Sequence, residues 1–417
     1  MEERSLVETA LNLIRDYPSV TAAIGSIVSL LAGSGVFAFL RRPKKVGQGE
    51  AKYLVDGKLL SPPIARPAYS DRMAYVLAEM SALAYVDFEG SGSIVRDAAK
   101  NLAKVASGSE KEVETLLEAF ADELLVKGVD SEDYLRKVLE KSGFKLLGTV
   151  NVAETQAFVC RREAAKAEPP YVVVAYRGTE KKVSDWLTDL RAVPTVFGEA
   201  RVHTGFLQAL KVATDFEGKT ALERVKAILE GAEAKDANNR PLPLFITGHS
   251  LGGALALMTA RELDADASCA CYTYGAPRVA NYEYFKTMKT PVYRVVNSVD
   301  IVPRVPPGAI ITVILKLVQG LSWITGFTPI SKLFDRLEVW LDKLNGYRHF
   351  GDERYLTDVA SGRFETVRLL SNPPAIDRLV WLGQQLGVML FAPVTSHGME
   401  IYRKKLHYLA NDRNKTG

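Results

Sequence analysis

The sequence predicts an α/β domain that follows an N-terminal transmembrane helix and carries an apolar helical insertion. Three observations lead there. From Leu242 to Leu263 a short apolar run, Leu-Pro-Leu-Phe-Ile-Thr, passes through Gly248-His249-Ser250-Leu251-Gly252 into an Ala/Leu-rich stretch, which reads as a buried strand, a tight turn and a helix. Val20 to Leu40 carries no charge and is long enough, as a helix, to cross about 30 Å of hydrocarbon. Ala309 to Leu344 is crowded with large apolar side chains, among them Ile314, Leu317, Leu321, Trp323 and Phe327, with no acidic residue before Asp335.

The balance of residues suits a globular protein. With 417 residues, 47% hydrophobic and 24% charged, there is length for one large α/β domain and attached pieces. A net charge of +4 on 53 basic and 49 acidic residues is too balanced to point to nucleic acid. The three cysteines, Cys160, Cys269 and Cys271, make no disulfide framework and suit small buried positions.

At the N-terminus the leader is acidic (Glu2, Glu3, Glu8 and Asp16 against Arg4 and Arg15), and the basic cluster Arg41-Arg42-Pro43-Lys44-Lys45 lies beyond the apolar run. A cleaved signal peptide would want the reverse. The reading is a retained single-pass anchor, with a buried hairpin or a processed segment as alternatives, and the positive-inside rule puts the following domain on the cytoplasmic side. Gly25, Ser29 and Gly33 form a small-residue stripe along which two such helices would approach in a homodimer, although chance accounts for the spacing equally well. The expected layout is an N-terminal segment 1–45 with the anchor at 20–40, a linker 46–70 containing Pro62-Pro63 and Pro67, and a domain 71–417 interrupted by the insertion 309–344.

Within that domain Asp71 to Tyr85 has helical spacing, and Ile94 to Leu147 is charged and amphipathic, with helix starts suggested at Ser109 and Ser131. Phe144 to Arg161 alternates as an antiparallel pair would, ahead of a core strand Tyr171 to Tyr176. Ala270 to Tyr274 and Val292 to Val296 read as further buried strands, each ending where a functional residue would sit at a strand's carboxyl end. A second apolar block, Leu379 to Val394, precedes His397. Both apolar blocks suit either lipid-facing surface or additional core.

The turn at Ser250 is a G-x-S-x-G pattern in strand–turn–helix context, the setting of a nucleophile elbow. Gly248 and Gly252 let neighbouring backbone pass without a Cβ, and the start of the following helix presents unsatisfied N–H groups to a developing oxyanion. The backbone N–H of Leu251 is the natural first donor. The plain alternative is a Gly-rich helix start arising by chance. A nucleophilic serine needs a base and an orienting carboxylate. Of the five histidines, His203, His249, His349, His397 and His407, the chain order serine, acid, histidine leaves the last three.

Several separated segments share a further pattern: Val172 to Thr179, Asp185-Trp186 to Leu190, Val202-His203-Thr-Gly205-Phe206, the elbow, Tyr274-Gly275-Ala-Pro277-Arg278-Val279, and Tyr293 to Pro306. Together they resemble the class 3 (fungal-type) lipases of the α/β-hydrolase fold. The resemblance implies Asp300 as triad acid, His397 as base and Thr179 as second oxyanion donor, with Ser250 as nucleophile. It gives His349 a structural place and sets Glu180 to Gly198 where the family carries a mobile lid. The interval from Asp300 to His397 is longer than the fungal pattern. The resulting expectation is a membrane-anchored serine hydrolase that cleaves acyl esters of lipids at the bilayer, without metal or organic cofactor. A catalytically silent lipid- or protein-binding scaffold and a lipid acyltransferase are the alternatives.

Overall fold

Strand-forming runs of β-branched and aromatic residues build the centre of the molecule. In the computed structural model, which describes residues 53–60, 67–86, 129–153, 155–164, 169–178, 194–215, 217–263, 268–298, 300, 302–305, 346–357, 364–374 and 397–416, eight strands form one sheet. They are β1 Phe144–Val152, β2 Thr155–Arg162, β3 Tyr171–Tyr176, β6 Leu244–His249, β7 Ser268–Tyr274, β8 Val292–Asn297, β9 Asp352–Leu356 and β10 Leu369–Ser371, in the order β1-β2-β3-β6-β7-β8-β9-β10. The remaining two, β4 Pro194–Phe197 and β5 Ala200–His203, pair separately as a hairpin. Antiparallel pairs flank the sheet, and β3, β6, β7, β8 and β9 run parallel. Every residue of β3, β6 and β8 is buried, as strands covered on both faces should be. The expected strands and the antiparallel pair are all present.

The longer helices are α1 Asp71–Leu83, α2 Val129–Lys141, α3 Ala221–Glu230, α4 Leu251–Leu263 and α5 Met399–Thr416. Ser70 caps α1 by accepting from the Met73 N–H, and Thr220 with Glu223 makes a reciprocal capping box at α3, which satisfies end groups that helix geometry leaves orphaned. α4 is buried from Gly252 to Ala260 and packs on the sheet beside β6 and β7. α5 packs against α1. There Arg403 grips the buried Glu79 carboxylate through Nε and an η nitrogen, each at 2.8 Å.

The chain divides into two compact units, 1–52 with 87–137, and 53–86 with 138–417. In the first, the described residues form the leading part of α2, where Glu132 and Arg136 pair across one turn at 2.9 Å. This helix starts at Val129, ahead of the expected start at Ser131. The second unit holds the sheet and part of the expected linker. Leu54, Leu59 and Leu60 are buried, the Leu54 N–H donates to Glu79, and Tyr293 donates to the Pro67 carbonyl. Apolar side chains at those positions explain why Tyr53 to Leu60 packs down rather than trailing as a spacer. Among the described residues no helix is long and apolar enough to cross a membrane. The expected anchor 20–40, the helix start at Ser109, and the apolar blocks 309–344 and 379–394 lie outside the described residues. So do Thr179 and most of the lid stretch, whose last residues form β4.

Candidate active site

Parallel strands deliver their carboxyl ends to one edge of the sheet, and loops leaving that edge converge. Register aligns them: Tyr176 lies beside Gly248, His249 beside Tyr274, and Tyr274 beside Val295.

Between β6 and α4 the chain turns at Ser250, which is buried and has φ +56°. A left-handed non-glycine residue costs about 1–2 kcal/mol, so the turn must be held from outside. The Ser250 N–H donates to the Tyr274 carbonyl at 2.9 Å, and the Ser250 carbonyl accepts from the Gly253 and Ala254 N–H groups, which starts the helix. The glycines two residues either side are sterically required. A Cβ on Gly248 would lie 2.2 Å from the Gly252 carbonyl oxygen, and one on Gly252 would lie 2.4 Å from that of Tyr176. Leu251 opens α4, so its N–H has no partner within the helix. At the end of β3, a Cβ on Gly178 would meet the His249 carbonyl at 2.7 Å, so β3 runs into the elbow with backbone contact.

Beyond β8 lies Asp300, fully buried. Its Oδ2 accepts from His397 Nδ1 at 2.8 Å and from the Tyr402 hydroxyl at 2.6 Å, while its Oδ1 accepts the Val302 N–H at 2.9 Å. Three donors around one carboxylate suit an ionised acceptor. The bond through Nδ1 fixes the His397 tautomer and leaves Nε2 as its second nitrogen. A hydrogen bond between the Ser250 hydroxyl and His397 is not formed in this structure. Such contacts commonly tighten only when a substrate is bound.

The other histidines have different partners. His249 bonds the His397 carbonyl at 2.7 Å and Tyr85 at 2.8 Å. His349 bonds the Pro303 carbonyl at 2.5 Å, His407 bonds Asp56 at 3.2 Å, and His203 accepts from the Gly205 N–H while stacking on Phe206. Among the described residues His397 is the histidine that reaches Asp300. Cys160 and Cys271 are buried, and burial pushes both thiols up, away from reactivity. Among the described residues no group of three or more His, Cys, Asp or Glu side chains is placed to hold a metal.

Four contributors were not legible beforehand. Tyr402 is five residues past His397 and touches Asp300. Burial first, then the Asp300 carboxylate, pushes its phenol well above the ordinary range, so the hydroxyl remains a donor. One turn on, the buried Lys405 ammonium bonds Asn297 Oδ1 at 2.6 Å and the Thr357 carbonyl at 2.7 Å, while the Asn297 N–H donates to Tyr402 at 3.0 Å. α5 thus steadies the loop that carries Asp300. Gly275, at φ +57°, sits where a Cβ would lie 2.7 Å from Asp300 Oδ2 and 3.1 Å from His397 Cε1. Tyr85 reaches the site from just beyond α1. A spacing of three between Tyr402 and Lys405 announces a shared helix face, but not what that face meets.

A mixed sheet with a parallel centre, a left-handed serine at a strand-to-helix turn and a buried histidine–aspartate pair beyond a nearby strand end define an α/β-hydrolase fold. Lipase (class 3) is the family whose pattern matches residues 173–309, and over that segment the chain is similar to the class 3 lipases. Among its relatives, a lipase of Rhizomucor miehei is 31% identical over 38% of this chain and 42% of its own length. The secreted mono- and diacylglycerol lipase 1 of Fusarium solani is 34% identical over 40% of this chain and 49% of its own. The chloroplastic phospholipase A1-Igamma2 of Arabidopsis thaliana is 29% identical over 46% and 45%. The chain therefore spans less than half the length of these relatives. A solved lipase of Rhizopus microsporus var. chinensis aligns with 66% of this chain and 79% of its own at 22% identity, with a TM-score of 0.38.

Proposed function

We propose that the protein is a membrane-anchored serine hydrolase that cleaves acyl esters of lipids. The observation that carries this reading is the buried 2.8 Å pair of His397 and Asp300 beside an elbow that holds Ser250 in a left-handed turn. Ser250 Oγ attacks the ester carbonyl while His397 Nε2 takes its proton. The imidazolium, stabilised by Asp300, then returns that proton to the leaving alcohol, and water repeats the sequence on the acyl-enzyme. The Leu251 N–H, aided by the positive end of α4, receives the oxyanion with the N–H of Thr179. Relatives named as a lipase, a secreted mono- and diacylglycerol lipase and a phospholipase A1 support glycerolipids or phospholipids as the substrate class. The run Val20–Leu40 holds the enzyme at the bilayer, and the basic cluster after it sets the catalytic domain on the cytoplasmic side.

The deciding experiment uses the full chain with a fluorophosphonate probe and vesicles of mixed phospholipids and diacylglycerol, following fatty acid and lysolipid release. The wild type should label and hydrolyse. Ser250→Ala, Asp300→Asn and His397→Ala should each lose several orders of magnitude in turnover while staying folded, and His349→Ala should retain activity. A wild type that neither labels nor hydrolyses is a scaffold, and a dead but folded His349→Ala beside an active His397→Ala moves the base elsewhere.

A further inference from the structure

His249 neighbours the serine in sequence, is buried, and is not needed by the triad chemistry. Its contacts point at the base. Because a carbonyl can only accept, the 2.7 Å contact of His249 Nε2 with the His397 carbonyl requires a proton on Nε2. In the neutral ring Nδ1 then accepts, and the Tyr85 hydroxyl donates to it at 2.8 Å. The two imidazole rings lie with centroids 4.5 Å apart at an interplanar angle of 33°. A chain of hydrogen bonds therefore runs from Tyr85 through His249 to the backbone of His397. Gly178 closes over it, where a Cβ would collide with both the Tyr85 hydroxyl and the His249 carbonyl.

We infer that Tyr85 and His249 are positioning residues for the base: a tautomer-locked pair that fixes the backbone of His397, and with it the aim of Nε2 at Ser250. Asp300 holds the ring of His397 from one side, and His249 holds its main chain from the other. Two fixed points define the direction of a planar ring where one would leave it free to pivot. Neutrality belongs to the device. The groups around the His249 ring are Tyr85 on one side and His397 and Tyr402 on the other, with Asp300 behind them, bonded to both of the latter. Burial, reinforced by the adjacent His397, drives the His249 proton affinity well below the ordinary histidine range, so no second cation opposes the imidazolium that forms during turnover.

The inference rests on the proposed triad, and its test separates the two. In the full chain, His249→Phe keeps a ring beside His397 but removes both hydrogen bonds, whereas His249→Gln restores a donor near the Nε2 position. Tyr85→Phe removes only the outer bond. The rate of fluorophosphonate labelling reports activation of Ser250 without a lipid substrate, and kcat and KM are read on a soluble short-chain ester. His249→Phe should slow labelling and kcat together by about 10- to 100-fold, the scale of a misplaced catalytic group, with KM within about twofold. His249→Gln should return to within about threefold of wild type, and Tyr85→Phe should lose about 3- to 10-fold, the worth of one neutral hydrogen bond. Equal labelling rates for wild type and His249→Phe overturn the inference. So does a loss confined to thermal stability, with turnover per folded molecule unchanged, or a His249→Gln as slow as His249→Phe; should His249→Phe not fold, Tyr85→Phe at the wild-type rate does the same. If the wild type does not label, the triad reading fails instead.

Discussion

A methyl group added at Gly275 should separate the acid from the base. The residue sits at φ +57°, and an alanine Cβ would lie 2.7 Å from Asp300 Oδ2, 3.0 Å from the Tyr402 hydroxyl and 3.1 Å from His397 Cε1. The closest of these is about 0.7 Å inside the 3.4 Å at which ordinary contact begins, and three groups in mutual contact must move together. Misplacing catalytic groups by an amount of that order costs on the scale of 10²-fold, so Gly275→Ala should lower kcat by about 10- to 100-fold. The left-handed backbone adds about 1–2 kcal/mol of instability, a fall in Tm of about 2–4 °C per kcal/mol. Gly198 supplies the control, since its φ is +58° and an added Cβ meets nothing within 4 Å. Gly198→Ala should lose comparable stability and keep its kcat. Esterase kinetics alongside calorimetric melting decide the matter: if Gly275→Ala turns over within about twofold of Gly198→Ala, the acid and base are not arranged as described.

Tyr402→Phe should cost about 2–3 kcal/mol, because a charge-assisted bond to Asp300 is lost and the Asn297 N–H is left buried without its acceptor; urea denaturation that leaves the midpoint unmoved would count against this. Glu79→Ala should destabilise by about 3 kcal/mol, since the partly buried Arg403 loses both bonds and the Leu54 N–H its acceptor; a melting curve matching wild type would show the clamp to be idle. Alkaline pH should be destabilising. Tyr176, Tyr272, Tyr274 and Tyr402 have phenols raised chiefly by burial. The unfolded chain thus releases protons near pH 10 while the folded protein keeps them, and the stability present below pH 10 drains away above it. Tm should be level up to about pH 9.5 and fall steeply by about pH 11, and a flat profile over that interval would refute the burial of these phenols.

What could be foreseen divides along physical lines. The elbow was legible because its demands are local: Gly248 and Gly252 flank a serine between an apolar run and an Ala/Leu-rich helix, and steric exclusion acts within five residues. The buried strands were legible because a run such as Val172 to Tyr176 has one stable use. Asp300 and His397 came from a resemblance between segments, and the structure pairs them. Tyr402, Lys405, Gly275 and the Tyr85–His249 chain stayed hidden because their roles depend on which distant segments meet: Tyr402 and Asp300 are 102 residues apart, and Tyr85 and His249 are 164. The burial of Leu54, Leu59 and Leu60 within the expected linker stayed hidden for the same reason. Pro62-Pro63 and Pro67 signal a break in secondary structure, but whether Leu59 and Leu60 find a groove depends on the surface they meet.

The segment that carries His397, the proposed base, arrives late. His397 follows His249 by 148 residues and Asp300 by 97, and the stretch from His397 into α5 brings in the proposed base together with the tyrosine that bonds Asp300. During synthesis the chain through Asp300 already contains the proposed nucleophile, the elbow glycines and the proposed acid, while the proposed base is still to come. On the proposed triad, such an intermediate is inert toward esters. The order of the sequence would thereby keep the growing chain silent, with docking of the segment that carries His397 and α5 as its arming step.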